Sequence, residues 1–312
     1  MGLPKSFKQA AFKEAGGPLV IEETPLVLPK PGEILVKVEA CGVCFSDHVA
    51  QQNYMGGGFP LVPGHEIIGR VAAVGDGVSE WALGERIGGG WHGAHDDAEY
   101  CTLRAEAAVR VPDHVDAAKY APMLCAGVTV FNSMRRMNIG PGKIVAIQGL
   151  GGLGHLAIQY ANKFGYRVVA MSRDSKKEKF ARSLGAHEYI DASKEDVGEA
   201  LQRFGGAAMI VLTAPNPAGV APLIKGLDLV GKLLILSTIG EVPIDTGALL
   251  HGGNSVHAWP SGHATDSREA IEFAELQGVN CLIEEFPLEK ANEAYGAMLK
   301  GTVRFRAVIT MK

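Results

Sequence analysis

Lys143-Ile144-Val145-Ala146-Ile147-Gln148-Gly149-Leu150-Gly151-Gly152-Leu153-Gly154-His155 is the stretch that decides the fold. Residues 143–148 are an apolar run of strand length. Gly149, Gly151 and Gly154 then take the G-x-G-x-x-G spacing, and a helical pattern over 155–164 is closed by Gly165. The spacing alone is a weak signal. A strand before it and a helix after it make it a dinucleotide-binding turn. Gly149 permits the tight turn, Gly151 lets the backbone approach a pyrophosphate, and Gly154 lets helix and strand pack closely. Gly152 and Leu153 belong to the same turn, whose free N–H groups and partial positive charge suit a diphosphate.

Outward from the turn, strands and helices alternate. Residues 166–172 read as a buried strand and 175–184 as a helix stopped by Gly185. Further strands are expected at 207–213 and 232–238, with helical stretches between. That alternation predicts an α/β fold with a doubly wound parallel sheet and helices on both faces. The first 126 residues differ: short runs such as 33–38 and 70–74, separated by Pro and Gly, read as a β-rich region. After Trp259 come two amphipathic helices, 266–276 and 288–300, and a last strand, 304–310. No internal repeat interrupts this order.

The end of the second strand bears on the cofactor. A carboxylate there commonly bonds an adenosine ribose 2′-hydroxyl. Here the residues are Ser172 and Arg173, with Lys176 and Lys177 beyond. A hydroxyl followed by a guanidinium accepts a 2′-phosphate that a carboxylate would repel, which favours NADP(H) over NAD(H). Asp174 is the one nearby group that could still bond a ribose.

Composition bounds the rest. A chain of 312 residues suits two domains. The formal net charge is −4 and no Lys/Arg run stands out, which argues against nucleic acid as a partner. No window reaches about 18 uninterrupted apolar residues, and residues 1–12 lack the apolar core of a signal peptide. No membrane association and a cytoplasmic location are therefore expected. Five cysteines, an odd and sparse set, do not read as a disulfide scaffold.

Cys41-Gly42-Val43-Cys44 is a C-x-x-C pair that by itself fits redox, metal or neither. Taken in order with Pro63-Gly64-His65-Glu66, Ala121-Pro122-Met123-Leu124-Cys125 and the glycine turn, it resembles the medium-chain zinc-dependent alcohol dehydrogenases, nearest to the cinnamyl-alcohol-type and bacterial–fungal branches. The likeness runs over almost the whole chain. It implies a GroES-like catalytic domain from 1–126 and 260–312 around a Rossmann cofactor domain at 127–259. Cys44, His65 and Cys125 match the ligands of a catalytic zinc, a set for which alcohol dehydrogenase is itself the standing example. Glu66 matches a carboxylate close to the metal, and Asp47 one that orients the ligand histidine. Ser46 matches the hydroxyl that takes the alcohol proton. Thr129 matches a residue beside the nicotinamide and Arg306 one that reaches the diphosphate. Trp91 matches a substrate-pocket aromatic, and Met55 and Trp259 are further candidates for lining a mostly apolar pocket. The implied reaction is hydride transfer between NADP(H) and a primary alcohol or aldehyde, in a homodimer or a tetramer. The alternatives are the same reaction with NAD(H), a zinc-free quinone or enoyl reductase, and a dinucleotide-binding protein without catalysis.

The chain departs from the family in three places. Most relatives carry a lobe with four closely spaced cysteines for a second, structural zinc. Here Trp91-His92-Gly93-Ala94-His95 leads through Asp96 to Cys101 with no such cluster. Roughly two to three dozen residues are absent, a length typical of such lobes, and one zinc per subunit is expected. Val49 stands where some relatives have a relay histidine, with His48 beside it. Phe45 replaces a basic residue that contacts the diphosphate in some relatives.

Overall fold

The computed structural model describes residues 2–54, 56–91 and 97–311. Contacts divide the chain into two units. The first comprises Met1–Val128, Gly262–Leu276 and Cys281–Lys312, and the second Thr129–Ser261 and Gln277–Asn280.

The first unit opens with an antiparallel pair, β1 (Ser6–Phe12) and β2 (Leu19–Pro25). Next come the long strand β3 (Glu33–Val43), the short helix α1 (Phe45–Gln51), β4 (Ile67–Val74), β5 (Arg86–Gly89), β6 (Tyr100–Arg104) and β7 (Ala108–Arg110). A one-turn helix, α2 (Ala117–Tyr120), is capped by Asp116, and α3 (Ala126–Arg136) leads out of the unit. Strand β3 runs five residues beyond the expected 33–38, because its last residues pair with β4 on one side and with the late strand Arg306–Thr310 on the other, while β6 pairs with its first half. Beneath these strands Ile34, Val36, Ile67, Ile87 and Leu103 are fully buried. The core follows the alternation of a sheet with one face inward.

The second unit holds β8 (Ile144–Gln148), α4 (Gly154–Lys163), β9 (Arg167–Ser172), α5 (Glu178–Ser183), β10 (Glu188–Asp191), α6 (Val197–Arg203), β11 (Ala207–Leu212), α7 (Val220–Lys225), β12 (Leu227–Ile235), α8 (Thr246–Gly252) and β13 (Ser255–Ala258). Its sheet is parallel throughout, in the order β10-β9-β8-β11-β12-β13. Chain direction across the sheet reverses at β8. That places the carboxyl ends of β8 and its neighbours at a topological switch point. Two details differ from expectation. Strand β12 occupies 227–235 rather than 232–238, because its amino end pairs with Ala207 ahead of a register shift. Strands β10 and β13, which the sequence did not suggest, form the two edges of the sheet.

The chain then returns to the first unit through α9 (Ala264–Gln277), β14 (Ile283–Pro287), α10 (Ala291–Lys300) and β15 (Arg306–Thr310). Residues 277–280 group with the second unit because the Gln159 side chain of α4 exchanges two hydrogen bonds with the Asn280 backbone, at 2.9 Å each. Strand β15 lies between β14 and β3, inside the first unit's seven-stranded sheet.

Candidate metal centre and cofactor turn

The end of β3 and the start of α1 build one side of the first site. Cys44 is the N-cap of α1, and the Asp47 carboxylate reaches back to accept its N–H at 2.8 Å. A carboxylate in a helix's first turn satisfies a donor the helix leaves over. His65 and Glu66 lie immediately before β4. Because β4 pairs with β3 through Ile67 opposite Cys41, they arrive beside the C-x-x-C segment. Gly42 donates its N–H to the Glu66 carbonyl at 3.0 Å. A Cβ on Gly42 would fall 2.0 Å from Glu66 Oε2, so the glycine in this C-x-x-C makes room for the glutamate. Cys125 closes the short turn Ala121–Leu124, ahead of α3.

These elements bring together one candidate ligand atom from each of Cys44, His65, Glu66 and Cys125, all within 4.8 Å of one another. The two sulfurs are 3.9 Å apart. His65 Nδ1 donates to Asp47 Oδ1 at 3.1 Å, which fixes the tautomer and leaves Nε2 with its lone pair toward the cluster. His65 Nε2 and Glu66 Oε2 are buried and have no hydrogen-bond partner. Two sulfurs, one imidazole nitrogen and one carboxylate oxygen are the donor chemistry of a zinc site, and buried atoms without partners are what such a site leaves when its ion is removed from view. The residues therefore fit the ion.

Charge in the site is balanced by Arg306, the first residue of β15. Its Nη2 pairs with Glu66 Oε1, and both side chains are buried. Burial pushes the Glu66 carboxyl up to about 7, against the pull of the Arg306 guanidinium. The hydrogen bond from Cys125 holds the Cys44 thiol well below the ordinary thiol range, with further help from His65, whereas sharing that bond as donor and being buried push Cys125 well above it. For His65, burial opposes the charged form, but the charge and hydrogen bond of Asp47, together with those of Cys44, outweigh burial and raise the ring's basicity. Trp91 stacks on the His65 ring, with centroids 4.3 Å apart and planes at 27°. Ser46 Oγ lies 3.7 Å from Cys44 Sγ. Cys41 is packed in the core, and all five cysteines are free thiols. Met55, His92 and His95 lie outside the described residues.

The glycine turn lies in the second unit. Gly149 takes a φ of +99°, a left-handed value that disfavours a Cβ. A Cβ on Gly154 would sit 2.0 Å from the Gly149 carbonyl oxygen, whereas one on Gly151 would meet nothing within 4 Å. The first packs helix onto strand, and the second leaves a cradle that a bound group can fill. Gly152 and Leu153 sit between them and lead into α4. Ser172 is the buried last residue of β9, Arg173 is exposed, and Lys177 lies in the one-turn helix Ser175–Lys177. Asp174 caps that turn, its Oδ1 accepting the Lys176 N–H at 2.9 Å. Thr129 is buried in α3.

Two features had no signal in the sequence. Arg306, expected at a diphosphate, is engaged with Glu66, a partner 240 residues away. Behind α1, the Tyr295 hydroxyl donates to Gln51 Oε1 at 2.7 Å and meets His48 Nδ1 at 2.9 Å, while Gln51 Nε2 donates to the Gly17 carbonyl at 2.8 Å. His48 is thus held by α10.

Comparison with known proteins places this geometry. Residues 30–123 match the alcohol dehydrogenase GroES-like domain, and residues 152–276 the zinc-binding dehydrogenase domain. Alcohol dehydrogenase patD of Penicillium expansum is 64% identical over 335 residues, covering 99% of this chain and 98% of the relative. The chain belongs to the medium-chain zinc-binding alcohol dehydrogenase family. As a member of that family it is an oxidoreductase of the alcohol dehydrogenase type. Alcohol dehydrogenase notN of an Aspergillus species is 53% identical over 338 residues and covers 100% of both chains. A cinnamyl alcohol dehydrogenase structure from Sorghum bicolor superposes with a TM-score of 0.87 at 26% identity, covering 98% of each chain. The patD alignment runs over 335 positions against 312 residues here, so that dehydrogenase carries internal positions with no counterpart in this one. Among the described residues no helix is long and apolar enough to cross a membrane.

Proposed function

We propose that this dehydrogenase interconverts a primary alcohol and its aldehyde, with one zinc ion per subunit and with NADP(H) in preference to NAD(H). The observation that carries the reading is the convergence of Cys44, His65, Glu66 and Cys125 within 4.8 Å, with two of their polar atoms buried and unpartnered. Cys44, His65 and Cys125 would hold the zinc. Glu66 stands by as a fourth donor, an oxygen whose charge Arg306 offsets. When bound, the ion supplies Lewis acidity toward the substrate oxygen and the nicotinamide supplies the hydride acceptor.

The chain's own residues supply the rest. Asp47 keeps the proton of His65 on Nδ1, so Nε2 stays available as a donor atom. Ser46 Oγ, beside Cys44, accepts the proton of the alcohol hydroxyl while handing its own hydroxyl proton to solvent water, and the same two transfers run backwards in the reverse direction. Trp91, stacked on His65, gives the pocket a flat apolar wall that suits an alkyl or aryl group and keeps water off the ligand ring. The glycine turn at the amino end of α4 takes the diphosphate. Thr129 stands beside the nicotinamide. Ser172, Arg173 and Lys177 take the 2′-phosphate, a reading supported by a hydroxyl, rather than a carboxylate, on the last residue of β9. Edge strand β13 is the surface through which two subunits would pair.

The test is metal analysis of the purified protein together with a panel of primary alcohols and aldehydes assayed with both cofactors. One zinc per chain and a higher kcat/KM with NADPH are expected. Fewer than one metal ion per two chains would defeat the zinc reading, and a clear preference for NADH would defeat the reading of Ser172 and Arg173. Light scattering after gel filtration tests the dimer.

A further inference from the structure

Immediately after the glycine turn stands His155, a histidine with no exposed surface, and the reaction scheme above gives it no task. Its backbone N–H donates to the Gly151 carbonyl at 3.1 Å, the first hydrogen bond of α4. Its ring does the same: Nδ1 lies 3.0 Å from the same oxygen. A carbonyl can only accept, so the proton is on Nδ1. Gly151 itself has no side chain to hold it, and its Cα faces open space. A glycine peptide with that freedom turns readily unless something fixes its plane.

We infer that His155 is a positioning residue for cofactor binding, and that it orients the Gly151–Gly152 peptide for the diphosphate. The peptide unit is planar and trans, so its C=O and N–H point in opposite directions. Two donors from one residue hold the Gly151 oxygen toward α4. The Gly152 N–H of the same peptide is thereby turned away from the helix, to the side on which a diphosphate approaches the turn. The histidine does not touch the cofactor. It removes a rotation that the cofactor would otherwise have to freeze on binding. The ring also anchors the turn to the buried side of the helix, where neighbours Leu156, Ala157 and Ile158 are fully buried.

The inference rests on the dinucleotide reading above, and its test separates the two. Equilibrium binding of NADPH and of NADH is measured on the zinc-loaded wild type and on His155→Asn, His155→Gln and His155→Phe. An Asn amide nitrogen occupies the place of Nδ1, a Gln amide nitrogen the place of Nε2, and Phe offers no donor. The Asn variant is expected within about threefold of wild type, and the Gln and Phe variants about tenfold weaker with both dinucleotides, the scale of one hydrogen bond and the order it imposes. Melting temperature and zinc content show which variants are folded, and the comparison of Asn with Gln stands even if Phe is not. Equal binding by the Asn and Gln variants, or wild-type affinity in a folded Phe variant, overturns the inference. Failure of the wild type itself to bind either dinucleotide overturns the cofactor reading beneath it.

Discussion

Replacing Asp47 by Asn changes one atom type in a carboxylate that is 2% exposed, and the structure sets the size of the effect. The two oxygens accept three N–H groups: Cys44 N at 2.8 Å on Oδ2, and Gly64 N at 3.3 Å and His65 Nδ1 at 3.1 Å on Oδ1. An amide keeps one acceptor. If its oxygen faces His65 and Gly64, its NH2 faces the Cys44 N–H, donor against donor. In the other orientation the NH2 faces His65, and the ring can accept only by moving its proton to Nε2, the atom needed for metal. A buried donor left unsatisfied costs about 1–3 kcal/mol, so the metal-free variant is expected to lose about that much stability in a denaturant titration. Loss of the group that orients a ligand histidine typically costs 10–100-fold in metal affinity, or about 1.4–2.7 kcal/mol. Zinc affinity is read by competition with a chromophoric chelator. A folded Asp47→Asn protein with wild-type zinc affinity would refute the assignment of Asp47 as the group that sets the His65 tautomer.

Four further outcomes are expected. Arg306→Leu strands a buried Glu66 carboxylate and should destabilise the protein by about 3–5 kcal/mol, with Glu66→Gln in the same chain recovering part of the loss; equal stability of the two chains in urea would contradict the pairing. Gly154→Ala drives a Cβ into the Gly149 carbonyl and should cost about 1–3 kcal/mol of stability along with dinucleotide affinity, whereas Gly151→Ala should leave the melting temperature alone and weaken only the binding, as thermal shift and titration would show. Ser46→Ala should retain its zinc and lose turnover by about 100-fold or more, the usual worth of a positioned proton acceptor; full activity would exclude this proton path. Ser172→Asp should shift the kcat/KM ratio toward NADH by about tenfold, by setting a carboxylate against the 2′-phosphate.

How much of this could be read from sequence alone depends on the range of the interaction. The cofactor turn was legible because its whole logic is local: strand, glycines and helix lie within 25 consecutive residues. Cys44, His65 and Cys125 carry no such signal singly. They were found through the segments around them, and the structure brings them together because β3 and β4 pair while Cys125 ends the turn ahead of α3. The Glu66–Arg306 pair was not legible in that way, since nothing near either residue names the other across 240 positions. The same holds for Tyr295 with His48 and Gln51. Strand β13 is four residues long and only half buried, too short and too mixed to show a period. Strand β12 begins ahead of the apolar stretch that marks it in the sequence, because its pairing with Ala207 starts at Leu227.

Strand β15 sits inside the first unit's sheet, between β14 and β3, and carries the countercharge of Glu66 at its first residue. On a ribosome this imposes an order. The second unit is nearly continuous in sequence and can close on itself as it emerges. The first unit starts earlier but must wait, with the carboxyl end of β3 open on one flank and Glu66 uncompensated, until β15 has followed the whole of the second. The part of the enzyme made first is therefore the part finished last. Its unfilled strand edge is the stretch most exposed to mispairing in the interval.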